Sequence, residues 1–153
     1  MGSATKFEAL IKAARNTKDL KITAVLRILL GVLFVMTGLM KLFVPMLGEA
    51  FSGQLAAAGI PFLTFNVWFV PVVEVIVGVL LLTGFFTRIA ALAVINMMLV
   101  ATYVHVVVNN PALFPLQPEE PYIPIVTIAI ALFVLWRGGG TWSLDLKSTE
   151  PGL

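Results

Sequence analysis

No cysteine occurs in these 153 residues. Disulfides, thiol catalysis and cysteine-based metal sites are therefore excluded for this chain, and any thiol–disulfide chemistry around it belongs to a partner. Histidine occurs once, as His105. Haem ligation is disfavoured on that count, because it would need a methionine or a second copy's histidine as the other axial ligand. Charge is also scarce: 12% of the residues are Asp, Glu, Lys or Arg, about half the share found in soluble domains. What fills the chain instead is apolar, with 59% hydrophobic residues and a mean hydropathy of +1.01. The first apolar segment is too long and too late for a signal sequence, and no small-residue cleavage pattern follows it, so it reads as a retained span.

Four apolar runs carry this hydrophobicity: Ile22–Met40, Val67–Gly84, Ile89–Val108 and Tyr122–Trp136. A hydrocarbon core about 30 Å thick takes roughly 20 helical residues to cross. The first three runs reach that length, and the fourth is shorter, opened by Pro121 and marked at its far interface by Trp136. The expected fold is all-α: a four-transmembrane-helix bundle with an N-terminal interfacial helix and a long outer loop after the first span. Residues 1–21 form a cytoplasmic amphipathic segment, with Phe7, Leu10, Ile11 and Ala14 on one stripe. Residues 22–137 form the membrane domain, with spans at about 22–41, 65–84, 88–108 and 122–137, and residues 138–153 form a cytoplasmic tail.

The cations set the orientation. Lys6, Lys12, Arg15, Lys18, Lys21 and Arg27 precede or enter the first span, Arg88 lies between spans two and three, and Arg137 and Lys147 follow span four. At the other end stands Lys41, in the company of Glu49, Glu119 and Glu120. The positive-inside rule puts both termini in the cytoplasm and leaves no need for nucleic acid to explain the cations. The connector at Leu42–Asn66 is about 25 residues, long for a bundle loop. Between Pro45 and Pro61 it carries an amphipathic pattern that predicts a short helix at the outer interface or a lid over the bundle. Phe85-Phe86-Thr87-Arg88 is a tight turn making spans two and three antiparallel neighbours. Gly138-Gly139-Gly140 stops the last helix.

Ionisable groups inside a membrane need a partner, a cavity or a route to the interface. Glu74 lies deep in span two, one helical turn after Pro71, which removes an amide donor and favours a kink there. His105 lies about a turn inside the outer end of span three, and Lys41 ends span one, within reach of the outer headgroups. All three belong to the outer half, and an antiparallel bundle would let their heads meet, so Lys41, Glu74 and His105 are the candidate ligand-binding residues. Each also has a plain packing role open to it. Arg27 and Asn96 lie in the opposite half and read as structural: Arg27 snorkelling or bonding exposed carbonyls, Asn96 bonding across helices. Gly31, Gly38 and Gly78 read as helix contacts; Trp68, Trp136, Trp142 and Tyr122 read as interfacial anchors.

Taken in order, several pieces resemble the DoxX family of small bacterial and archaeal membrane proteins. They are Arg27-Ile28-Leu29-Leu30-Gly31, Gly38-Leu39-Met40-Lys41, Ala57-Ala58-Gly59-Ile60-Pro61, Glu74 with Gly78, Leu80 and Gly84, Thr87-Arg88-Ile89-Ala90-Ala91, His105, and Gly138-Gly139-Gly140-Thr141-Trp142-Ser143-Leu144-Asp145. The resemblance covers nearly all of the chain after residue 22. It implies a four-helix membrane bundle and a role in redox complexes near the quinone pool. Some relatives are subunits of thiosulfate:quinone oxidoreductase, and others accompany thiol or oxidative-stress systems. Without cysteine or a thiosulfate motif, those particular activities do not carry over. The expectation is a non-autonomous subunit of a redox complex in a bacterial or archaeal membrane, binding a quinone or similar amphiphile in its outer half. It would have a protein partner or a second copy of itself. The rival expectations are a structural or assembly subunit without ligand chemistry, and a small transporter, for which no selectivity motif is visible.

Overall fold

The computed structural model describes residues 3–115 and 120–148, and among these every regular element is helical. In chain order they are α1 (Ser3–Arg15), α2 (Lys21–Phe43), α3 (Pro45–Ala57), α4 (Leu63–Thr83), α5 (Thr87–Val107), a 3-10 turn (Pro111–Leu113), α6 (Tyr122–Arg137) and α7 (Leu144–Lys147). Glu119 and the tail beyond residue 148 lie outside the described residues. Helices α2, α4 and α5 are each long and apolar enough to cross a membrane. At 16 residues, α6 spans about 24 Å. Lipid offers the backbone no hydrogen bonds, so apolar runs of this length must satisfy their own amides as helices.

Packing is uneven around the bundle. The contact of α2 with α4 is the most extensive, followed by α5 with α6, while α2 with α6 and α4 with α5 touch more sparsely. Small residues explain the first pair. A Cβ added at Gly78 would stand 2.7 Å from Val35 N and 2.9 Å from Gly31 O, and one at Gly38 would stand 2.7 Å from the carbonyl of Pro71. The two backbones approach so closely that no larger residue fits, as expected for helices that pack in lipid. Pro71 lies buried inside α4, which continues as one helix from Leu63 to Thr83. Leu30, Phe34, Val77, Leu81, Val94 and Val134 form the buried centre. Leu29, Val72, Ile76 and Leu99 are exposed on the perimeter, where lipid is the solvent and apolar exposure carries no penalty.

The turns follow local chemistry. Gly84 ends α4 in the left-handed region, φ 67°, with its N–H donating to Leu80 O and Leu81 O. Phe86, also left-handed at φ 48°, then starts α5. Within the first connector, Pro45 opens α3 at a helical position where its missing N–H costs nothing. That short helix buries Phe51 and Leu55 against the bundle.

Candidate functional site

Polar side chains gather at the two ends of the bundle. At the end away from the termini, Lys41 from the last turn of α2 meets Glu74 of α4, with Nζ 2.6 Å from Oε1. Glu74 is 3% exposed, and its second oxygen, Oε2, has no hydrogen-bond partner among the described residues. On its other side the Lys41 ammonium stands over the ring of Phe51 from α3, 4.6 Å from the centroid. The lysine therefore turns inward instead of reaching for headgroups, because a carboxylate that cannot reach water attracts a counter-charge strongly.

This pair forms part of the wall of a cavity of about 510 Å³. His105, from the last turn of α5, lines the same cavity, as do Thr37, Gln54 and Thr127; the remaining lining is mostly apolar. His105 is buried, its ring 4.2 Å from that of Phe114. Lys41, Glu74 and His105, singled out from the sequence, thus share one chamber although they come from three helices. Asn96 also borders it, but its side chain is exposed and donates to Leu92 O at 2.8 Å, within its own helix. The expected bond across helices is absent because the carbonyl one turn back is already within reach.

The roof of the cavity is built from the two connectors. Gln54 of α3 donates to Leu113 O at 2.5 Å, joining the lid helix to the 3-10 turn. Ala58, Val104, Val108 and Phe114 form a small apolar cluster beneath that junction. Gln54 was not distinguishable in the sequence from any other polar residue on an amphipathic helix; its partner lies 59 residues away.

The opposite end is a clasp of charges on helix termini. Arg27 is fully buried and donates through Nη1 to Leu81 O and to Leu82 O (2.8 Å), and through Nε to Gly139 O at 2.7 Å. It meets the unsatisfied carbonyls at the C-terminus of α4, where a cation is favoured. Of the two structural routes expected for Arg27, carbonyl bonding is the one present. Arg88 does the same for Trp136 O of α6 at 3.1 Å and binds Asn16 O at 2.8 Å. Asp145 supplies the complement: its carboxylate accepts from Phe86 N (3.0 Å) and Thr87 N (2.8 Å) at the start of α5, and from Arg15 Nε at 3.1 Å. Sequence reasoning placed Arg15 and Arg88 only as orientation charges and gave Asp145 no role. Ser143-Leu144-Asp145 is a short-helix start, since Ser143 Oγ accepts from Leu146 N, but nothing local shows that its acid caps another helix.

Among the described residues no group of three or more His, Cys, Asp or Glu side chains is arranged to hold a metal ion. The cavity thus offers a buried ion pair, an imidazole and amide or hydroxyl groups in an apolar shell, which is chemistry for holding an uncharged ligand with polar groups at one end. Comparison with known proteins agrees with the architecture. The chain is 31% identical over 138 residues to an uncharacterized membrane protein, Rv3486, of Mycobacterium tuberculosis, with 82% of this chain and 80% of that one covered. No solved structure matches it. The DoxX family model matches residues 22–107, from α2 to the end of α5 and so across Lys41, Glu74 and His105. This multi-pass helical membrane protein belongs to the DoxX family.

Proposed function

We propose that the protein is a non-autonomous membrane subunit of redox metabolism that binds a quinone or a similar amphiphile in the cavity beneath α3. The observation that carries this reading is the Lys41–Glu74 pair at the wall of an otherwise mostly apolar chamber, with the glutamate buried and one of its oxygens unpartnered among the described residues. An ion-paired carboxylate is an acceptor and an ammonium only a donor. An oxidised quinone needs donors for its two oxygens, whereas its reduced form presents hydroxyl groups that need acceptors. The pair holds both kinds of group side by side, and His105 faces the same space, so either form finds a complementary contact. Orphaned acceptors in an apolar surrounding favour a ligand that brings a donor.

The chain's own chemistry supports binding and orientation. With no cysteine and one histidine, electrons reaching such a ligand come from a metal or flavin on a partner subunit. The distribution of Lys and Arg supports an orientation with both termini in the cytoplasm, and with it a cavity in the outer half of the membrane.

Decylubiquinone binding to the purified chain in lipid nanodiscs, measured against empty nanodiscs, tests the reading. Wild type should show a saturable component, and correctly inserted Glu74→Gln and His105→Ala should each weaken it by about tenfold, the equivalent of one lost hydrogen bond to a charged or polar partner. Equal binding in all three proteins would discard this site. No saturable binding by the wild type, with a partner complex still co-purifying from native membranes, would assign the chain to assembly alone.

A further inference from the structure

At the end where a water-soluble ligand would arrive, the cavity lies beneath α3. The lid helix α3 and the 3-10 turn are joined by the Gln54–Leu113 bond, and the apolar cluster around Phe114 fills the junction. Toward the termini the chamber ends on the packed core of Leu30, Phe34, Val77 and Val94. Two seams of the bundle, α2 with α6 and α4 with α5, are sparse, and along the first runs a second depression of about 330 Å³. It is lined by Leu29, Leu30, Val126 and Ile130 together with Leu33, Ile123 and Thr127, and the last three also line the cavity. The groove thus adjoins the chamber across these three side chains and lies on the perimeter of the bundle, where Leu29, Val126 and Ile123 are exposed.

We propose that the cavity opens sideways into the bilayer through the seam between α2 and α6, and that the groove there holds the hydrocarbon tail of the amphiphile whose headgroup lies at Lys41 and Glu74. This rests on the headgroup reading given above and adds the ligand's second half and its route. The polarity is ordered in the right direction. The ion pair lies at the chamber end, Thr127 stands at the junction, and the groove beyond contains only apolar side chains and Tyr122. From Tyr122 to Ile130 the groove follows α6 for about 12 Å, so it takes an extended chain and not a second compact headgroup. A ligand dissolved in the leaflet reaches the chamber along this path without disturbing the lid, and its tail never leaves an apolar environment.

Two probes separate the halves: decylubiquinone, and the same benzoquinone headgroup without its decyl chain. Val126→Trp and Leu29→Trp narrow the groove from its two walls and touch nothing in the chamber. Each should weaken decylubiquinone binding by about fivefold to tenfold, the worth of one or two buried methylene groups, and leave binding of the tail-less headgroup unchanged. That unchanged binding also certifies the fold of the variants. In parallel, a benzoquinone carrying a diazirine at the end of its tail should photolabel residues 29–33 and 122–130, and excess tail-less headgroup should displace the label. Labels on α4 or α5 with saturable headgroup binding intact would overturn the lateral groove while sparing the headgroup site. Labels in the seam that the headgroup cannot displace would mark an ordinary lipid chain and equally overturn it. Absence of saturable binding by either probe would overturn both readings.

Discussion

Glu74 and Lys41 are unequal partners. Glu74 is 3% exposed as a residue, whereas the Lys41 side chain keeps 23% of its surface and a long stem that can carry its charge outward. Removing the carboxylate leaves a lysine with an escape; removing the lysine leaves a buried carboxylate with none. Lys41→Met is therefore expected to destabilise more than Glu74→Gln, each by roughly 1–3 kcal/mol. The double variant Lys41→Met/Glu74→Gln should recover part of the loss, because no charge is then left unpaired. Thermal unfolding in one detergent measures all three. Strict additivity of the single effects would show that the two side chains do not interact. Arg27 illustrates the same logic with carbonyls in place of a carboxylate. Its planar fork reaches Leu81 O, Leu82 O and Gly139 O together, a geometry that a lysine at this site does not reproduce.

At the level of elements, helix ends decide how the bundle closes. The sequence marks these ends well: Gly84, Pro45 and the three glycines at 138–140 fall where helices stop or start. What it hides is which side chain satisfies them. Asp145 reaches the first amides of α5 from 58 and 59 residues away, while its own N–H donates to Gly84 O at 3.0 Å. It thus binds both sides of the α4–α5 turn, where Phe86 holds a left-handed conformation that a bulky residue rarely adopts. Asp145→Ala should cost about 1–2 kcal/mol, the usual worth of a helix cap, and Asp145→Asn less. Hydrogen exchange of the amides of Phe86 and Thr87 should accelerate selectively in Asp145→Ala. Exchange indistinguishable from wild type there would remove Asp145 from this role. Short α7 is then a peg that fastens to the α4–α5 turn.

Over the whole molecule, an even number of crossings returns the chain to the side where it began. Cysteine-free sequence makes this directly measurable, since any introduced thiol is unique. Lys6→Cys and Lys147→Cys should react with a membrane-impermeant maleimide only after the cells are opened, and Glu49→Cys in intact cells. Labelling of Lys147→Cys from outside would break the four-crossing arrangement. The four apolar helices were legible in the sequence, because in lipid the hydrogen-bonding demand of each apolar run is met locally. Legible too was the isolation of Lys41, Glu74 and His105 as groups too polar for their surroundings. The sequence by itself therefore determined that this is an all-helical membrane protein with unexplained polar residues. Only the tertiary structure decided that Lys41 faces inward onto Glu74, that Asn96 bonds within its own helix, and that Asp145 caps a distant one. Only there, too, do the chamber and the sparse α2–α6 seam exist. The physical reason is distance along the chain: helix formation joins residues a few places apart, whereas the Lys41–Glu74, Thr87–Asp145 and Arg27–Gly139 contacts join residues 33, 58 and 112 places apart, and their geometry is fixed by how the helices pack.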